Sequence, residues 1–282
     1  MQPFTALYRH KIIKQMLTAL NKIALILYKM KNIFNSLLIA LVLLSFFTNC
    51  GKNETEDITI NYGFEYFPTD SNTYIIYQVD SVLYSSFATD GKDSVSWEVK
   101  EVWDTQFNDL QGKPARTLLR YQRPTGSTTN WANIIPTVWY AVQDSNRAER
   151  MEGEERWVKL VFPIRENATW NGSAYINTTD PTLAAYENWL FTYLNINTPQ
   201  TINGQSFAET ITIERTNNDE NLVEKKLYKE VYAKGIGSVY KEEWVLNLGG
   251  NDITNPQPWP QRAERGYTTT SKVLSYCLQN CD

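Results

Sequence analysis

Tyr74-Ile75-Ile76-Tyr77-Gln78-Val79, then Val82-Leu83-Tyr84, then the turn signal Asp90-Gly91 and Val95-Ser96-Trp97-Glu98-Val99-Lys100, form the stretch whose reading decides the fold. In its second half Val95, Trp97 and Val99 fall on one face and Ser96, Glu98 and Lys100 on the other. That period of two belongs to a strand with one side in a core and one in water. Asp-Gly supplies the positive φ angles a tight hairpin needs, so the two runs are read as neighbouring antiparallel strands.

The same grammar continues in both directions. Turn signals recur at Gln111-Gly112-Lys113, Glu152-Gly153, Asn171-Gly172, Asn203-Gly204 and Gly235 with Gly237. Apolar or alternating runs lie between them at 116–121, 137–142, 156–162, 208–215, 228–232, 238–246 and 266–276. The segment 180–194 is ambiguous: Asp180 and Pro181 can cap and open a helix, yet Trp189, Phe191 and Tyr193 alternate. A strand from about Asn188, with at most a short helical turn ahead of it, is expected. The fold class is therefore all-β. A single antiparallel domain over residues 61–282 is expected, either a twisted half-barrel-like sheet or a sandwich, with little helix, behind a helical signal segment.

That signal segment starts at Met30-Lys31-Asn32, continues through the apolar run Ser36 to Phe47 and ends at Thr48-Asn49-Cys50. A basic start, a short hydrophobic core and a cysteine make a secretory signal, because a membrane span needs roughly 20 apolar residues. The ending resembles a bacterial lipobox, although Phe47 and Asn49 depart from its commonest leucine-and-small-residue form. Cys50 is thus the expected lipid attachment site, carrying diacylglycerol and a further acyl chain such as palmitate. Acyl chains contribute about 0.8 kcal/mol per buried methylene, so two or three hold a protein firmly to a membrane. Residues 1–29 read as an upstream extension, with Met30 the expected start of translation. Residues 50–60, rich in Lys, Glu and Asp, read as a solvated tether.

Charge and histidine narrow the chemistry. Residues 1–49 hold six basic side chains and no acidic one, which leaves 21 basic against 31 acidic in the remainder of the chain. An acidic domain repels phosphate backbones and anionic bilayer surfaces, so no nucleic-acid partner is expected and the membrane partner is reached through the lipid. The single histidine, His10, precedes Cys50. Without imidazole, Ser-His-Asp and Cys-His catalysis and most zinc or iron sites lose their usual base or ligand. No metal, cofactor or catalytic residue is assigned. Gly235-Ile236-Gly237 lacks the rest of a dinucleotide fingerprint.

Four constellations remain. Cys277 and Cys281 are the thiols left once Cys50 is acylated, and in an oxidising compartment they are read as a structural disulfide that ties down the C-terminus. The carboxylates Glu152, Glu154 and Glu155, and Glu242 with Glu243, could supply a glycosidase pair or be solvated, and no pair evidently converges. Most aromatic residues belong to a β core, while Trp131, Trp139, Trp170 and Trp259 sit near loops where they could stack on sugars. Asp80-Ser81-Val82 and Asp93-Ser94-Val95 resemble a short bacterial O-glycosylation acceptor motif.

Three stretches resemble a family of uncharacterised Bacteroidetes-type lipoproteins: Phe64-Glu65-Tyr66-Phe67-Pro68 with Tyr77-Gln78-Val79-Asp80-Ser81; residues 156–163 leading to Thr169-Trp170-Asn171-Gly172; and residues 230–240. The resemblance implies an outer-membrane or cell-surface location, with the periplasmic face as the alternative, and a single domain. It carries over no catalytic residue. Together these readings lead to an envelope lipoprotein that binds a ligand or an envelope protein without catalysis. A carbohydrate-binding or carbohydrate-acting accessory protein that uses exposed Trp, Tyr and carboxylates, with a glycan as partner, is the first alternative. A carrier of an apolar ligand is the second.

Overall fold

The computed structural model describes residues 4–45, 61–88, 90–216, 222–249, 257–279 and 281. Cys50 and the tether at 50–60 lie outside the described residues, as does the end of the signal segment. The chain divides into two compact units, Met1–Thr59 and Ile60–Asp282. The first contains one helix, α1, Phe4–Ser45. Among the described residues no helix is long and apolar enough to cross a membrane.

The second unit is all β. Its strands are β1 (Tyr74–Tyr84), β2 (Lys92–Asn108), β3 (Pro114–Pro124), β4 (Thr137–Gln143), β5 (Arg147–Glu152), β6 (Glu155–Val161), β7 (Thr169–Asn171), β8 (Leu190–Ile202), β9 (Gln205–Arg215), β10 (Glu224–Ala233), β11 (Gly237–Asn247) and β12 (Arg265–Cys277). All twelve lie in one sheet of order β6-β5-β4-β3-β2-β1-β12-β11-β10-β9-β8-β7. Each strand pairs with its successor except β6 with β7, and β12 returns to pair antiparallel with β1. The sheet is thus an up-and-down barrel, nearly closed, with one seam between β6 and β7.

Side chains and a few backbone groups close that seam. The Val158 amide donates to the Gly172 carbonyl at 2.9 Å, and Trp170 Nε1 donates to the Val158 carbonyl at 2.9 Å. The Tyr193 hydroxyl accepts from the Val161 amide and donates to the Val161 carbonyl, both at 2.8 Å. Edge strands left open are templates for aggregation, and these bonds cover the two that the barrel would otherwise expose.

Asn171-Gly172, expected as a hairpin turn, is a close approach instead. A Cβ on Gly172 would stand 2.1 Å from Cε2 of Phe191, so only glycine lets β7 pack against β8. Asn203-Gly204 does form the β8–β9 turn, with φ of 51° and 78°. The β11–β12 ladder ends at Lys272. Just beyond it, Asn203 Nδ2 and Gln205 Nε2 from that turn donate to the Val273 and Leu274 carbonyls, each at 2.9 Å.

A barrel of twelve strands is wider than one of eight, whose interior ordinary side chains just fill. Large rings occupy the extra space. Trp157, Trp189, Phe191, Tyr193, Tyr228 and Tyr232 belong to one buried cluster. The Phe191 and Tyr228 rings stack with centroids 4.5 Å apart. Trp170, one of the proposed sugar-stacking residues, is in this cluster at 9% exposure. A second cluster gathers Ile75, Tyr77, Val79, Val99, Val239 and Val273.

The strands read from the sequence are all present, and the ambiguous segment holds a 3-10 turn at Ala184–Tyr186 before β8. Two strands were not anticipated. β5 is Arg-Ala-Glu-Arg-Met-Glu, whose composition carries no β signal. β7 is only three residues long. At the end of β12, a disulfide joins Cys277 and Cys281, whose Cα atoms are 5.8 Å apart.

Candidate functional site

Strands that are not sheet neighbours send charged side chains to meet one another inside the barrel. Glu152 on β5 is the centre. Its Oε1 accepts from Arg150 Nε at 2.8 Å and from Lys159 Nζ of β6 at 3.1 Å, and its Oε2 lies 3.6 Å from Lys241 Nζ of β11. Lys159 Nζ also contacts Glu230 Oε2 of β10 at 3.0 Å and donates to the Tyr228 hydroxyl at 2.9 Å, and both Lys159 and Glu230 are 1% exposed. Arg150 reaches Glu101 of β2 at 3.8 Å, and Arg120 of β3 meets the same carboxylate at 3.3 Å. Lys241 bonds Glu243 at 3.0 Å, and Glu243 in turn accepts from the Tyr267 hydroxyl. The network holds four cations and four carboxylates.

Two opposing effects set the ionisation of this network. Burial pushes the Glu230 carboxyl up, but Lys159, Arg150 and Lys241 together outweigh it and hold the group down at about 2. Burial likewise raises Glu152, and Arg150, Lys159 and Lys241 bring it well below the usual carboxylate range. Lys241 is pulled down by burial and raised further by Glu152, Glu243 and Glu230. Buried charges persist only when paired and hydrogen-bonded in this way.

A cavity of about 100 Å³ opens beside the network, lined among others by Tyr77, Glu101, Arg150, Lys241, Thr269 and Ser271. It is smaller than the 300 Å³ or so that a drug-sized ligand requires. Its walls are polar and charged, which differs from the apolar chamber expected of a carrier.

The larger opening lies on the β1–β3 side, a groove of about 410 Å³ lined by Tyr74, Lys100, Val102, Tyr121, Trp131 and Cys281, with Asn72 and Asn130 at its margin. Lys100 and Tyr121 are cross-strand partners on β2 and β3, and Tyr74 pairs with Val102. The remaining wall is a loop made rigid from below. Glu98 accepts from Arg123 Nε at 2.8 Å and from Nη2 at 2.6 Å. Arg123 Nη1 donates to the Thr129 carbonyl at 2.6 Å, and its guanidinium lies 4.0 Å from the centre of the Trp131 ring. Asn130 Oδ1 caps the 3-10 turn Trp131–Asn133 by accepting from the Ala132 amide at 3.0 Å. On the floor, Lys100 Nζ sits 4.0 Å from the centre of the Tyr74 ring. Lys100 forms no ion pair among the described residues, and burial lowers its ammonium pKa.

The sequence candidates are thus distributed. Glu152 and Glu243, read as glycosidase partners or solvated groups, are buried against cations, with Lys241 between them. Glu242 instead accepts from the Tyr240 hydroxyl at 2.9 Å. Trp139 faces the interior cavity beside Arg120 and Arg150, Trp131 walls the outer groove, and Trp259 lies near Arg262. The Ser81 hydroxyl donates within the sheet to the Thr268 carbonyl at 3.3 Å, and Ser94 is exposed on β2. Among the described residues no group of three or more His, Cys, Asp or Glu is placed to hold a metal ion. Sequence reasoning missed the interior network and Lys100. The first has a sequence signal in opposite charges spaced two apart, Arg150 with Glu152 and Lys241 with Glu243.

No family model matches the chain, and no curated protein does. Among solved structures it is similar to a protein from Bacteroides fragilis described as exported and of YmcC-like fold, at 10% identity and a TM-score of 0.35, over 74% of this chain and 98% of that one. It is similar to one described as a lipoprotein from Parabacteroides distasonis at 10% identity and a TM-score of 0.33, over 75% and 98%. A domain described as an outer-membrane lipoprotein-sorting protein from Vibrio parahaemolyticus matches at 13% identity and a TM-score of 0.20, over 74% and 86%. With TM-scores below 0.5, these likenesses carry neither a fold nor an activity to this chain.

Proposed function

We propose that the chain is an exported lipoprotein, cut before Cys50 and held to the outer membrane by acyl chains on that cysteine, whose barrel binds a ligand or envelope partner on its outer wall without catalysing a reaction. One observation carries the binding half of this reading. The charged side chains around the interior cavity are paired with one another, whereas the groove outside has aromatic walls and an ammonium with no counter-ion among the described residues. A glycosidase acid needs a carboxyl group whose pKa is raised; Glu152 and Glu230 are held low and ionised. An apolar carrier needs an apolar cavity, and four cations and four carboxylates occupy the interior instead. The anchoring half rests on the signal segment ending at Cys50. The Cys277–Cys281 bond is taken as a structural tie beside the groove.

Cells fed an alkyne fatty acid test the anchor. Wild-type protein should carry the label in the outer-membrane fraction, and C50S should lose both label and membrane retention. Protease added to intact cells should remove the barrel if it faces outward. A C50S protein that still carries the label and stays in the membrane would overturn the reading.

A further inference from the structure

We infer that the β1–β3 groove takes an acidic saccharide, its ring laid against Trp131 and Tyr121 and its carboxylate on Lys100. The inference deepens the binding role proposed above and rests on it.

The argument begins with Lys100. A half-buried ammonium loses hydration and ordinarily recovers the loss through a carboxylate. Two nearby cations do so, Arg120 with Glu101 on one face and Arg123 with Glu98 on the other, while Arg116 on β3 is satisfied by the Asp104 carbonyl and the Gln106 side chain. Lys100, which lies between Glu98 and Glu101 in sequence, sits over the Tyr74 ring and has no carboxylate partner among the described residues. Burial is the one resolved influence on its pKa, and no anion among the described residues compensates it. An incoming carboxylate would.

The walls specify the rest of the ligand. Sugars present apolar C–H faces edged by hydroxyls, and Tyr and Trp supply broad, rigid contact area with a polar tip. Here Trp131 is fixed before any ligand arrives, because Glu98 holds Arg123 and Arg123 holds both the Thr129 carbonyl and the indole. Such preorganisation lowers the entropy lost on binding. Asn72 and Asn130, both exposed, add polar side chains to the lining of the groove. The volume of about 410 Å³ suits one or two sugar rings. The domain as a whole is acidic, which disfavours a densely charged polyanion and leaves a saccharide with isolated carboxylates.

The test uses the full purified chain on an array of uronate- and sialate-bearing oligosaccharides printed beside their methyl esters. Calorimetry then measures the best pair. The acid should bind at least tenfold more tightly than its ester. K100M should bring the two within about twofold by weakening the acid, and W131A should abolish binding of both with unchanged near-ultraviolet dichroism outside the lost indole. Equal affinity of acid and ester, or no binding of any acidic saccharide, would overturn the inference. If affinity for equally bound acid and ester still falls in W131A, the outer-wall reading survives without the acidic ligand. If saccharides bind W131A and K100M as well as wild type, the groove itself is wrong.

Discussion

The interior network and the outer groove use similar residues to opposite ends. Both combine lysine, arginine and aromatic rings on neighbouring strands. Inside, each of Lys159, Lys241, Arg150 and Arg120 has a carboxylate partner, and the Lys159–Glu230 and Lys241–Glu152 contacts join strands far apart in sequence. In the groove, Lys100 has an aromatic ring and, among the described residues, no anion. Paired charge fixes strand to strand across a wide barrel; unpaired charge leaves an interaction for something outside the chain to complete. Substitutions should therefore divide into those that unfold the protein and those that only unload it.

The largest effect is expected at the centre of the network. Glu152→Ala leaves Arg150, Lys159 and Lys241 without their shared carboxylate, and breaking a buried pair from one side costs about 3–5 kcal/mol. Urea unfolding of the variant checks it. Acid should loosen the same region. Glu230 titrates at about 2 in the folded chain against 4.5 ordinarily, so its stabilisation is present above 4.5 and is lost as pH falls through that window. Unfolding measured between pH 5 and pH 2 should lose on the order of 3 kcal/mol from this group.

Smaller effects sharpen the contrast. Gly172→Ala drives a Cβ into Phe191 at the seam, an overpacking worth about 1–3 kcal/mol in thermal unfolding. Cys281→Ser opens a short loop at the end of β12 and should cost no more than about 2 kcal/mol by chain entropy. Lys100→Met should change stability by less than about 1 kcal/mol, because the ammonium it removes has a contact with the Tyr74 ring and no carboxylate partner among the described residues. A large loss there would erase the distinction between the two regions.

The strands were legible because a sheet with one buried face writes period two into its sequence, as Val95, Trp97 and Val99 do. β5 was not, since its inward positions include Arg150 and Glu152, whose partner Lys159 is on the adjacent β6 but whose partners Glu101 and Lys241 come from strands that are not its sheet neighbours. The pairing of β12 with β1 joins segments nearly 200 residues apart, which no local pattern encodes. Asn171-Gly172 misled because the dipeptide serves a turn and a close packing contact equally well. Of the groove, Trp131 was named from sequence as a sugar-stacking candidate and Cys281 as half of a disulfide. Lys100 read as one residue of a solvated strand face, and its enclosure depends on the loop at Asn130–Asn133 returning against β2 and β3.

A double-mutant cycle on Lys159→Met and Glu230→Gln, followed by urea unfolding, tests most directly whether the interior charges are a structural device. Each single variant should lose several kcal/mol, and the double variant should recover much of that loss, since removing both partners leaves no uncompensated charge. Single costs below about 0.5 kcal/mol, or two costs that simply add, would contradict the account.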